Sequence, residues 1–238
     1  MNPFTYFDKI YCINLLKDTQ RKEDMILLFE ELGITDLVEF VVGIENEHSI
    51  IGCNKSSVNI FKDAKANNYN KIIIFEDDII TDGDVITKLQ NCISDIENDW
   101  DLFYLGGIPH RVEWFVNEEE VTTMTEYMQK KHYLKYSNNL VKLNGGRVTL
   151  RHAVAYKSTT FDDFINKFEH IEIYKNIIMD DIDKWTVNYY QQQSNIKTFL
   201  ACPMLFHQKY VYSNNTKQYV DMGFFNRDLY NELLKMNP

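Results

Sequence analysis

The chain has 238 residues, 45% of them hydrophobic and 14% aromatic, enough apolar material for one large domain and too much for a disordered or low-complexity chain. Its 35 acidic residues outnumber 25 basic ones and leave a net charge of −10, which argues against general nucleic-acid binding. Apolar runs stay well below the ~20 residues of a membrane helix. The N-terminus lacks a signal peptide's basic stretch and apolar core, so the sequence reads as that of a soluble, cytoplasmic protein. Cys12, Cys53, Cys92 and Cys202 form no C-x-x-C pair and read as reduced thiols.

In chain order, strand and helix patterns alternate. Lys9–Asn14 is a short β-branched and aromatic run. From the candidate N-cap Asp18, Met25, Leu28, Phe29 and Leu32 recur at helical spacing until Gly33 ends the stretch. Glu39–Ile44 predicts a second strand, and Val58, Phe61 and Ala64 mark a helix face within Gly52–Asn67. Lys71–Phe75 is almost unbroken apolar sequence, as in a strand buried on both faces. Ile86, Leu89, Ile93 and Ile96 predict the next helix, and Asp101–Leu105 the next strand. Residues 108–146 are polar and without clear period, and read as an insertion. Regularity returns at Arg147–Tyr156, followed by a helix face of Phe161, Phe164, Ile165 and Phe168, a strand at Lys197–Ala201 and a helix at Asn226–Lys235. Such alternation predicts a single α/β domain, residues 1–238, with a largely parallel sheet and a middle insertion.

The residues most suggestive of chemistry are Glu76, Asp77 and Asp78, directly after the apolar strand. Open parallel sheets bind ligands beyond the carboxyl ends of their strands. Three adjacent acids repel one another unless water or a cation separates them, and a hard divalent ion bridging phosphate oxygens suits them. The plainer reading is an acidic strand-to-helix turn with an Asp cap. Asp82-Gly83-Asp84 reads as turn plus cap. His110, His132, His152 and His170 share no zinc-like spacing and read as ordinary.

The order of motifs resembles glycosyltransferase family 25, whose members include lipooligosaccharide and procollagen galactosyltransferases. Ile13-Asn14-Leu15 with Lys17 and Arg21 looks like the family's I-N-L strand end and basic loop. Gly52-Cys53-Asn54-Lys55-Ser56-Ser57 resembles its G-C-x-x-S-H, with Ser57 where the family usually has His. Glu76-Asp77-Asp78 matches its E-D-D, Trp100–Gly106 its W-D-h-h-h-L-G (h apolar), and Ala155-Tyr156 its A-Y strand end. Met179-Asp180-Asp181 and Cys202–His207 resemble the later acidic pair and the Pro-to-His segment.

The resemblance implies a GT-A-like nucleotide-binding fold and transfer of a hexose, galactose or glucose, from a UDP-sugar with inversion. It implies Mn²⁺ or Mg²⁺ held by Asp78, with Glu76 and His207 as further candidate ligands. Asn14, Lys17, Arg21, Glu76 and Asp77 are the candidates for holding the donor, and Asp181 or Asp180 for the general base. The acceptor would be a glycan, a lipooligosaccharide or a hydroxylysine-type hydroxyl. Each assignment has a plainer counterpart: a strand-end histidine for His207, a helix N-terminal carboxylate for Asp180 or Asp181, a solvated helix residue for Arg21. A degenerate member that binds a glycan or partner without turnover is the alternative function. Trp114, Phe115, Tyr127, Tyr133 and Tyr136, after the flexible Gly106-Gly107 pair, suggest either a flap over the cleft or a solvated excursion.

Overall fold

The computed structural model describes residues 1–81, 83–96, 98–110, 133–170, 182–209, 211–213 and 218–220. A short 3-10 turn, Pro3–Tyr6, leads into β1 (Lys9–Asn14), α1 (Thr19–Glu31), β2 (Val38–Val42), α2 (Ser49–Ala66) and β3 (Lys71–Glu76). Then come β4 (Ile79–Thr81), α3 (Val85–Ile96), β5 (Leu102–His110), β6 (Tyr133–Lys135), β7 (Leu140–Leu143) and β8 (Arg147–Lys157). α4 (Phe161–Phe168), a short helical turn at Ile182–Trp185 continuing as a π-turn over Thr186–Tyr190, β9 (Thr198–Ala201) and β10 (Phe206–Gln208) follow. A small antiparallel pair, β11 (Val211–Ser213) and β12 (Gln218–Val220), lies beyond them. The helix expected at Asn226–Lys235 lies outside the described residues.

Among the described residues the main sheet has eight strands in the order β2-β1-β3-β8-β5-β9-β7-β6. Six point one way; β7 and β8 are reversed. The fold is therefore the expected α/β class with a mostly parallel sheet, and β8 is the long reversed strand at its centre. The ends of the supposed insertion belong to this sheet: β5 extends to His110, while β6 and β7 continue its far edge. Tyr133, read from sequence as facing a wet surface, is buried, and its hydroxyl donates to the Arg147 carbonyl at 2.6 Å. Trp114, Phe115 and Tyr127 lie outside the described residues.

β3 shows why the local sequence gives this arrangement. Its residues alternate between faces, Ile72 and Ile74 toward one core and Ile73 and Phe75 toward the other, all essentially inaccessible. One core lies under α2 and α4, where Phe61 stacks among Tyr156, Phe161 and Phe164 with ring centroids 5.0–5.7 Å apart. The other lies under α1 and α3. Burying each such side chain stabilises the fold by about 1.5–3 kcal/mol. α1 stops where Gly33 adopts φ +64, the left-handed geometry that a helix-ending glycine accepts without strain. Gly106 and Gly107 form no hinge. Both lie within β5, and a Cβ at Gly106 would meet the Phe206 carbonyl oxygen at 2.3 Å, so the pair serves close packing.

Candidate active site

The parallel topology brings the carboxyl ends of β1, β2 and β3 to one edge of the sheet. A crevice opens there, lined by Lys17, Asp18 and Arg21 after β1, Gly43–Asn46 after β2, the first turns of α2 through Gly52, Cys53 and Ser56, and Glu76, Asp77 and Asp78 at the end of β3. Gln208 of β10 closes it. The close approach of α2 depends on Gly52, since a Cβ there would stand 2.1 Å from the Ile44 carbonyl oxygen.

The alternation of β3 continues into its acids and separates their surroundings. Asp77 points toward α1, where the Asn14 side-chain amide donates to its Oδ2 at 2.6 Å and the Arg21 guanidinium pairs with its Oδ1. The same guanidinium lies 3.0 Å from Asp78 Oδ2, so one cation serves two carboxylates. Asn14 also donates to the Asp18 carbonyl at 3.1 Å, tying β1 to the start of α1. Glu76 faces the α2 side, toward the charges of Arg151 and Asp183. Lys17 pairs with Glu45 at 3.3 Å on the exposed rim.

These surroundings shift Glu76 and Asp77 upward. Burial pushes Glu76 to about 8; Asp78 adds to this and Arg151 opposes it. Burial takes Asp77 to about 6 against the pull of Arg21 and Asn14. Both carboxyls thus stand where burial outweighs the nearby guanidinium.

Asp78 is held by Gln208, a residue outside the predicted site. β10 pairs antiparallel with β4, setting His207 opposite Ile80 and Gln208 opposite Ile79. Gln208 Nε2 then donates to Asp78 Oδ2 at 3.0 Å, and the Lys209 backbone N–H donates to the Asp78 carbonyl at 2.7 Å. His207 sits one residue before Gln208 on β10, opposite Ile80 of β4. Asp78 Oδ1 is buried with no hydrogen-bond partner among the described residues.

An oxygen of that kind suits a divalent cation. Among the described residues no cluster of three or more His, Cys, Asp or Glu forms a ready-made metal cage.

Asp180 and Asp181 lie outside the described residues. The chain directly after them is tied to α2 and β8: the Ile182 N–H donates to Asn54 Oδ1 at 3.0 Å, and the Leu150 N–H to Asp183 Oδ2 at 3.4 Å. Ser57 joins a polar cluster behind Glu76, accepting from Arg151 Nη2 at 3.1 Å while Arg151 Nε donates to the Tyr156 hydroxyl at 2.9 Å. Asp84 is the expected cap, accepting from the Thr87 N–H at 2.9 Å.

Residues 47–203 match the model for glycosyltransferase family 25 (LPS biosynthesis protein), about two-thirds of the chain. The chain belongs to that family. The family 25 chain is 26% identical over 188 residues to procollagen galactosyltransferase 1-A of Xenopus laevis, an alignment covering 67% of this chain and 30% of the relative. It is 23% identical over 129 residues to inactive glycosyltransferase 25 family member 3 of Homo sapiens, covering 42% and 22%. It thus matches less than a third of the length of these curated relatives. Among solved structures, a glycosyltransferase involved in glycosylation of the major capsid of PBCV-1 aligns over 96% of this chain and 98% of its own, with 11% identity and a TM-score of 0.46. Among the described residues, no helix is long and apolar enough to cross a membrane.

Proposed function

We propose that this family 25 chain is a metal-dependent hexosyltransferase. It takes galactose or glucose from a UDP donor and passes it, with inversion, to a hydroxyl of a glycan, lipooligosaccharide or hydroxylysine-type acceptor. The observation that carries this reading is the crevice at the β1–β3 ends, where a buried, unpartnered Asp78 oxygen lies beside Arg21 and near Lys17.

Asp78, with Glu76 and His207 as further candidates, would hold Mn²⁺ or Mg²⁺. The ion supplies Lewis-acid neutralisation of charge on the departing diphosphate. Arg21 and Lys17 contribute fixed positive charge at the same end of the crevice, where oxyanion charge develops. Asn14 keeps Asp77 aimed and fixes the start of α1, so the basic side chains stay in place. Asp181, or Asp180 beside it, takes the proton from the acceptor hydroxyl as its oxygen forms the new bond to the anomeric carbon. The bond from that carbon to the UDP oxygen breaks in the same displacement. No enzyme nucleophile is needed.

The test is a donor screen in which released UDP is measured with and without Mn²⁺, alongside Asp78→Asn. Turnover that requires the metal and is lost in a folded Asp78→Asn variant supports the reading. Metal-independent turnover in that variant overturns it. A second reading, binding without turnover, draws on the pairing of Arg21 with Asp77 and Asp78, which already supplies these acids with a protein cation. Metal-dependent hydrolysis of UDP-galactose or UDP-glucose by the wild type rules it out.

A further inference from the structure

The far edge of the sheet carries a second pocket. In the sheet order, β8, β5, β9 and β7 stand between β3 and β6, so this pocket is well separated from the crevice. Its volume is about 330 Å³, within the usual range of small-ligand sites. It is lined by Asp95 of α3, Lys135 at the end of β6, and Tyr136, Ser137, Asn138 and Asn139 in the turn to β7. None of these residues lines the crevice, and the mechanism above uses none of them.

The turn that forms the pocket is tied down on several sides. The Leu140 carbonyl accepts from the Tyr136 and Ser137 N–H groups at 3.0 and 3.1 Å, and Ser137 Oγ accepts from the Asn139 N–H at 3.0 Å. The Asn139 side-chain amide donates to Asp95 Oδ2 at 2.8 Å. Its carbonyl accepts from the Cys202 N–H at 2.9 Å and from the Cys92 thiol at 3.4 Å. These bonds join the turn to α3 and to the chain after β9. Tyr136 stands edge-to-face on Phe199 with ring centroids 5.0 Å apart, which fixes its plane, yet the residue stays 43% exposed. Asn138 beside it is exposed, and its amide has no hydrogen-bond partner among the described residues.

The exposed groups select a class of ligand. Asp95 and Lys135 carry opposite charges, so the pocket has no net charge to favour a phosphate or a cation. The Asn138 amide, the Ser137 hydroxyl and the Tyr136 phenol each donate and accept, and Asp95 adds a carboxylate acceptor. Such a set matches a ligand whose own hydroxyls donate and accept, and the fixed Tyr136 ring offers an apolar face to the C–H side of a sugar. We infer that this pocket is a saccharide subsite, separate from the crevice, that binds a neutral hexose unit of a glycan. It stands without the transfer reaction proposed above. Joined to that reaction, it keeps a carbohydrate-bearing acceptor on the enzyme while the crevice adds to it.

The experiment is saturation-transfer difference NMR with methyl β-galactoside, methyl β-glucoside and lactose at millimolar concentration. It compares wild type, Tyr136→Ala and Asn138→Ala, each with and without saturating UDP. At least one of the three sugars should bind wild type, keep its signal when UDP is present, and weaken by about 3–10-fold in each variant. A signal that UDP abolishes places the sugar in the crevice and overturns the inference. So does an unchanged affinity in either folded variant, or no binding of any of the three sugars. Should Tyr136→Ala fail to fold for want of its contact with Phe199, Asn138→Ala still decides. Sugar binding that meets these expectations in a protein releasing no UDP from UDP-galactose or UDP-glucose overturns the transfer reading and leaves this subsite standing.

Discussion

Asn14 donates its side-chain amide to Asp77 at 2.6 Å, joining the end of β1 to the end of β3 across 63 residues of sequence. The bond satisfies a buried carboxylate at the floor of the crevice. Asn14→Ala leaves that carboxylate short of a donor, at a cost of about 1–3 kcal/mol. We expect lower thermal stability and weaker UDP binding in this variant, by calorimetry, with donor affinity falling about tenfold (~1.4 kcal/mol).

The proposed base makes a separable prediction. Asp181→Asn should lower the transfer rate by about 10²–10⁴-fold, the usual share of general-base catalysis. UDP affinity should stay unchanged, because a base in this role acts on the acceptor hydroxyl rather than on the diphosphate. Normal transfer by Asp181→Asn together with a loss in Asp180→Asn moves the role to Asp180.

The cysteines offer a readout that needs no substrate turnover. All four are reduced thiols. Burial pushes Cys92 and Cys202 up to about 12, and burial with the nearby Asp77 and Asp78 raises Cys12 as well. Thiolate is the reactive form, so these three should resist alkylation at pH 8 in the native protein. Cys53 is half-buried and lines the crevice. It should be labelled first, and UDP with Mn²⁺ should protect it. Mass mapping that finds Cys53 labelled equally with and without nucleotide contradicts the placement of the donor.

Phe61 carries the packing of α2 on α4 and is fully buried. Phe61→Ala should destabilise by about 3–5 kcal/mol, the usual cost of an aromatic cavity. Because α2 also supplies Gly52 and Cys53 to the crevice, donor affinity should fall along with the melting temperature. Denaturant unfolding and UDP titration on one preparation check both.

What the sequence revealed was local. The apolar run of β3 and the acids after it were legible because a two-sided buried strand and a charged strand end leave a one-dimensional signature. The same holds for α2, whose Val58, Phe61 and Ala64 are the buried face expected. Gln208 was not legible. It reaches Asp78 through a pairing far away in sequence, β4 with β10, and no local period encodes the direction or partner of a strand. Tyr133 misled for a related reason, since in a polar stretch nothing marked the three residues that join the sheet edge. Ser57 was visible as a departure from the family pattern, but its bond to Arg151 depends on β8 lying across the sheet.

The β4–β10 pairing also governs when the crevice can be completed. β1, β2 and β3 with α1 and α2 lie in the first 76 residues and leave the ribosome as a contiguous, locally connected unit. Gln208 follows Asp78 by 130 residues, a delay on the order of ten seconds at ordinary rates of synthesis. A nascent chain passing through that interval holds Arg21, Asp77 and Asp78 without the strand that orders Asp78. Late sealing makes the segment around Phe206–Lys209 the sensitive stretch for premature termination: a chain stopped just ahead of it retains all of β1 to β9 and lacks the last wall of its binding edge.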